Sequence, residues 1–214
     1  MDKKRQFYRY SELNKDEVYK MRVISGRAKG KRLKAPSGIN TRPLTDMIKE
    51  SLFNVLGLNV AGSSFLDLFA GSGAVGIEAL SRNAGLVLFV EKDHHAVRVI
   101  KENLTNCGFT EGYEVHRNDV FKALDLIRKR GLLFEYIYVD PPFTNEPIFE
   151  EVLQALDKAD ILAVEGIIII RTRRKKTLPV RLHILEKYRV NDYGESTLHY
   201  YCFNEEEKND DGSF

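Results

Sequence analysis

The segment Ser64-Phe-Leu-Asp67-Leu-Phe69-Ala-Gly71-Ser-Gly73-Ala-Val-Gly76 constrains this chain more than any other. A short apolar run meets glycines spaced G-x-G-x-x-G and passes into a helical pattern over 73–82. Strand, glycine turn and helix in that order form the context in which such a motif cradles a nucleotide-like ligand. Gly71 permits the tight turn, Gly73 lets a ligand approach the backbone, and the first helical amides face it. The plain alternative is a tight strand–helix turn. Further strands are expected at 86–91, 113–116, 136–140, 166–171, 181–190 and 198–203, with helices at 94–106, 119–130 and 146–162. An earlier helix is expected to start at Thr45, where Thr45 or Asp46 can cap and Ile48, Leu52, Val55 and Leu56 share a face. This alternation predicts an α/β fold with a mostly parallel seven-stranded sheet and helices on both faces. Four consecutive Ile within 166–171 suit a strand buried on both faces. The last two strands have no helix between them and read as an antiparallel edge pair.

The acids around the glycines narrow the ligand. Glu91 closes the second strand 20 residues after Gly71, where it can accept from both ribose hydroxyls. Taken alone, that fingerprint suits a dinucleotide. Asp67, four residues before Gly71, opposes a pyrophosphate and favours a ligand bearing an ammonium and a sulfonium. Asp119, after the third strand, can accept from an adenine amino group; a helix N-cap is its alternative. Asp67, Phe69, Gly71, Gly73, Glu91, Asp119 and Val120 form the expected cofactor set. They look like the S-adenosylmethionine site of Rossmann-like methyltransferases.

The fourth strand ends in Asp140-Pro141-Pro142-Phe143. In an open parallel sheet this falls at the carboxyl ends of the strands, beside the glycine loop. An exocyclic amine on a planar ring is a poor nucleophile because its lone pair is delocalised. Asp140 and the Pro141 carbonyl can each accept one N–H, pulling the nitrogen toward tetrahedral geometry. The prolines hold that carbonyl rigidly and bring no competing donor. Phe143 can stack on the base, and a base within structured nucleic acid would have to be splayed or flipped out to arrive.

Charge distribution points to the partner. The net charge of the 214 residues is only +2, yet residues 1–45 hold 13 Lys or Arg against four acids, a net +9, and the remainder a net −7. A basic arm on an acidic body fits a polyanion. We divide the chain into a polar extension (1–20), a basic arm or hairpin (21–43), a Rossmann-like domain (44–204) and an acidic tail (205–214). With 43% hydrophobic residues the chain can build a substantial core, and its apolar runs fall short of the ~20 residues of a membrane span. Two cysteines make no disulfide framework, and the five histidines show no ligand spacing, so no metal is expected. A charged N-terminus without an apolar h-region points to the cytoplasm.

The chain resembles the bacterial RsmD family of 16S ribosomal RNA guanine-N2 methyltransferases. The resemblance rests on Met21-Arg-Val-Ile-Ser-Gly26, Gly30-Lys-Arg-Leu33, Thr41-Arg-Pro43, Thr45-Asp46, Lys49-Glu-Ser-Leu-Phe-Asn54, the glycine loop and Asp140-Pro-Pro-Phe143. It departs at Leu44 and Met47, where the family often carries a threonine and a basic residue. The resemblance implies methylation of guanine N2 in small-subunit ribosomal RNA, within a partly assembled particle, using S-adenosylmethionine; a monomer is expected. It implies RNA contacts from Arg22, Arg27, Lys29, Lys31, Arg32, Lys34, Arg42, Thr45 and Lys49. A second basic run, Arg171 and Arg173–Lys176, either tracks phosphates or is a solvated loop. Adenine N6 or a protein glutamine amide is the nearest rival substrate, followed by a non-catalytic RNA-binding factor and an NAD-dependent enzyme.

Overall fold

The computed structural model describes residues 21–36, 44–143 and 146–204. The extension 1–20, Arg42 and the tail from 205 lie outside the described residues. Seven strands form one sheet: β1 (Ser64–Leu68), β2 (Leu86–Glu91), β3 (Tyr113–Arg117), β4 (Phe134–Val139), β5 (Leu162–Arg173), β6 (Leu185–Tyr193) and β7 (Ser196–Phe203). Their order is β3-β2-β1-β4-β5-β7-β6. The first five are parallel, and β7 is antiparallel to both β5 and β6. The expected antiparallel pair is therefore present, with β6 at the edge and β7 inside it.

Helices α1 (Asp46–Leu56), α2 (Ala74–Ser81), α3 (His94–Cys107), α4 (Val120–Lys129) and α5 (Ile148–Ala159) cover the faces. Successive strand residues alternate between two cores. Phe65, Phe89, Tyr136, Tyr138 and Ile169 join the cluster of α1, α2 and α3, while Leu66, Leu88, Ile137, Val139 and Ile170 join that of α4 and α5. The Ile run thus faces both ways, as a doubly covered strand requires. One expected element moves: 146–162 is not all helix. Asp160 adopts φ 48°, the left-handed geometry that ends α5, and Leu162 already belongs to β5.

Residues 21–33 do form a hairpin, with Val23 N–H donating to the Lys31 carbonyl and Leu33 N–H to that of Met21. It is packed onto the domain. Met21, Val23, Ala28 and Leu33 are buried in the α1–α3 cluster. Glu78 of α2, fully buried, accepts from the amides of Ile24 (2.8 Å) and Ser25 (2.9 Å). A Cβ at Gly26 would lie 1.7 Å from the Ser81 carbonyl oxygen, so only glycine permits this approach. Asn103 of α3 grips the outgoing strand, accepting from Lys34 N–H (2.8 Å) and donating to its carbonyl (3.0 Å).

Candidate active site

β1 and β4 are neighbours although β2 and β3 lie on β1's other side, so the strand order reverses between them, where open α/β sheets bind ligands. A cavity of about 710 Å³ opens there. Its lining includes Asp67, Phe69, Gly71, Glu91, Asp119, Val120, Asp140 and Pro142. Residues far apart in the chain are thus brought to one place.

Gly71 lines the cavity at the turn its spacing implies, whereas Gly73 is not among the lining residues, and a Cβ there would lie 3.3 Å from Ile100 and Phe89. Gly71 and Gly73 adopt φ 55° and 74°. Gly76 serves packing: a Cβ there would meet the Phe89 ring at 2.3 Å. Phe69, at φ 60°, is a non-glycine residue in left-handed backbone at the cavity wall.

Asp67 accepts from Gly76 N–H at 2.9 Å and is buried. Burial pushes its carboxyl well above the usual carboxylate range; the Gly76 bond opposes this, and nearby Asp140 and Glu91 add to it. A buried acid of that kind is suited to a cation, which would restore its ionised form. Glu91 is oriented by two amides, Gly71 N–H on Oε2 (2.9 Å) and Asp93 N–H on Oε1 (2.8 Å). Each oxygen keeps acceptor capacity for a hydroxyl. Asp119 is a helix cap, accepting from Phe121 N–H at 3.1 Å, and also lines the cavity. These acids, with the glycine backbone, fit a cationic nucleoside cofactor and disfavour a pyrophosphate.

Because the folded-state pKa of Asp67 is raised, its favourable contribution to stability is present below the unfolded value and lost as pH rises through the folded value. Asp67→Asn keeps an acceptor for Gly76 without the charge. We expect this variant to gain stability relative to the parent as pH rises from 4 to 8 in urea titrations, while losing cofactor affinity in calorimetry. A constant stability difference across that range would contradict the cause given.

Asp140 accepts through Oδ2 from Arg171 Nη1 (2.9 Å) and the Tyr138 hydroxyl (3.3 Å). Pro141 is buried and Pro142 exposed. Phe143 is half-buried, with the guanidinium carbons of Arg171 and Arg173 at 5.1 and 5.9 Å from its ring centroid.

Several cations expected to meet RNA are placed differently. Lys49 is a correction: it is buried, 2% exposed, with its ammonium 2.5 Å from the Arg22 carbonyl oxygen and 3.2 Å from Glu78. Burial lowers its pKa, against the pull of Glu78. Thr45 caps α1, its hydroxyl accepting from Ile48 N–H at 3.4 Å. Arg22 pairs with Asp46 and Lys34 with Glu102, both at 2.8 Å and exposed. Arg27 lies over Phe109, and Lys29, Lys31 and Arg32 are exposed on the hairpin. Arg171 leaves the expected surface run, being buried against Asp140. Sequence reading missed this role because the pair spans 31 residues; the only local sign was that Arg171 continues a buried Ile strand. Among the described residues no group of three or more His, Cys, Asp or Glu could hold a metal, and no helix is long and apolar enough to cross a membrane.

Comparison with known proteins agrees with this geometry. The family model described as conserved hypothetical protein 95 matches residues 21–202. YlbH of Bacillus subtilis (strain 168) is 41% identical over 174 residues, covering 81% of this chain and 94% of YlbH. Ribosomal RNA small subunit methyltransferase D of Escherichia coli (strain K12) is 33% identical over 159 residues, covering 74% of this chain and 78% of that protein. The chain belongs to the RsmD family. Its sheet is that of Rossmann-like class I methyltransferases. A hypothetical protein of Thermus thermophilus, TTHA0928, superposes with a TM-score of 0.73 at 30% identity, over 84% of this chain and 97% of that one. The RsmD family match begins at Met21, so it includes the hairpin as well as the sheet.

Proposed function

We propose that this protein transfers a methyl group from S-adenosylmethionine to the exocyclic N2 amine of a guanine in small-subunit ribosomal RNA, acting in the cytoplasm as a monomer on a partly assembled particle. The observation that carries the reading is the presence of Asp67, the glycine loop and Asp140 on one cavity at the β1/β4 reversal. Membership of a family that includes the E. coli methyltransferase supports it.

Asp67, Phe69, Gly71, Gly73, Glu91, Asp119 and Val120 would hold the cofactor. When bound, it would supply an electrophilic methyl group on a sulfonium, which the nitrogen would take in exchange for one N–H proton. Asp140 and the Pro141 carbonyl hold the amino group so that its lone pair points along the line of transfer. Asp140 also sets negative charge beside the nitrogen as it becomes cationic. Arg22, Arg27, Lys29, Lys31, Arg32 and Lys34 present a basic hairpin to phosphates. The masking of Arg22 by Asp46 and of Lys34 by Glu102 leaves Lys29, Lys31 and Arg32 as the strongest contacts.

The test is to map methylated nucleotides in small-subunit ribosomal RNA from cells with and without the gene, then restore the mark with purified protein and tritiated cofactor. N2-methylguanosine lost and restored is expected. Methylated adenosine would reassign the base, and an unchanged map would overturn the reading. In vitro, raising salt from 50 to 200 mM should weaken RNA binding at least tenfold, since neutralised phosphates release counterions. Cofactor affinity should change less than threefold over the same range.

A further inference from the structure

Arg171 occupies the point where the Asp140-Pro141-Pro142-Phe143 segment meets the rest of the sheet. Its side chain is 4% exposed. Nη1 donates to Asp140 Oδ2 at 2.9 Å, Nε donates to Ser196 Oγ at 3.2 Å, and the guanidinium carbon lies 5.1 Å from the Phe143 ring centroid. Tyr138 donates to the same Asp140 oxygen at 3.3 Å. Both donors therefore address Oδ2, and among the described residues no hydrogen bond engages Oδ1. Asp140 lines the cavity.

We propose that Arg171 is the positioning residue of this site: it anchors one oxygen of Asp140 and the ring of Phe143, leaving the other carboxylate oxygen to accept the substrate N–H. The inference rests on the methyl-transfer reading. A buried guanidinium left without its anion is costly, so the pair persists through turnover and Asp140 does not rotate away when the amine departs. Arginine suits the post because one planar group serves two acceptors and lies against an aromatic ring at once; a lysine ammonium is a point charge. Phe143 is consequently held in register with Asp140, and any base that stacks on it meets a fixed surface.

The test uses the full chain with Arg171→Met and Arg171→Lys. For Arg171→Met we expect kcat to fall roughly 100-fold, as misplacement of a reacting group does. KM for the ribosomal particle and Kd for S-adenosylmethionine should stay within about threefold, and Lys should recover only part of kcat. Unchanged kcat, or KM and Kd rising in step with its fall, would overturn the proposal. If Met prevents folding, Lys carries the comparison, with the same outcomes. A second measurement needs no activity: urea unfolding of Arg171→Met, Asp140→Asn and the double variant. Coupling should move the double variant's unfolding constant about tenfold or more from the product of the single effects. Additivity would overturn the anchoring. Coupling in a protein that transfers no methyl group would leave the anchoring intact and reject the proposed reaction instead.

Discussion

Asp140→Ala is expected to lower methyl transfer to the immature small subunit roughly 1,000-fold, the loss that follows removal of a preorganised charge beside a developing one. RNA binding should stay within about twofold, because Asp140 lies on the cavity while Lys29, Lys31 and Arg32, the cations proposed to meet phosphates, lie exposed on the hairpin. The variant also leaves Arg171 without its ion-pair partner, so a drop in stability accompanies the kinetic loss. Asp140→Asn separates the two effects. Its amide oxygen can still accept from Arg171, so the fold is kept better, yet the charge is gone and the rate should remain low. Equal rates for parent and Asp140→Asn in single-turnover assays would remove Asp140 from the chemistry. Equal RNA binding with no transfer by the parent would favour a binding factor.

The second large effect lies away from the cavity. Glu78→Ala should destabilise the protein by about 3–5 kcal/mol, the usual result of removing one member of a buried ion pair. Glu78 is fully buried and accepts from Ile24 N–H, Ser25 N–H and Arg82 Nε, with the Lys49 ammonium at 3.2 Å. Its loss leaves the Lys49 charge buried and two amides of the hairpin without acceptors. Urea unfolding measures the cost. Hydrogen exchange locates it: Val23, Gly30 and Leu33, whose amides close the hairpin, should lose protection before the central strands do. Adding Lys49→Met to Glu78→Ala should recover part of the loss, since the stranded ammonium goes with it. A loss below about 1 kcal/mol, or protection unchanged in the hairpin, would show that the pair does not fasten it.

Much of this architecture is legible before any coordinates. Alternating runs place β2 at 86–91 as observed, and the other strands and helices fall within a few residues of expectation except at α5 and the ends of β5 and β6. The miss at α5 has a local cause. Ile161 and Leu162 continue an apolar pattern that suits helix or strand, and the left-handed turn at Asp160 makes the break without a glycine to announce it. The candidate site is legible because its parts sit at strand ends, and a parallel sheet brings all such ends to one edge.

Charge is where reading along the chain stops. Lys49 and Arg171 look like their basic neighbours, yet each is buried against an acid 29 or 31 residues away. Thr45 and Asp119 close helix ends, a role their residue types announce, and only packing decides that Asp119 lines the cavity as well. Backbone periodicity, turn glycines and cap chemistry are written within a few residues of where they act, so a linear reading recovers strands, helices and the glycine cradle. Whether a given charge meets water, phosphate or a buried partner depends on which distant elements pack over it. For this chain that was settled by α1 lying against α2 beneath the hairpin, and by β5 and β4 running side by side so that Arg171 reaches Asp140.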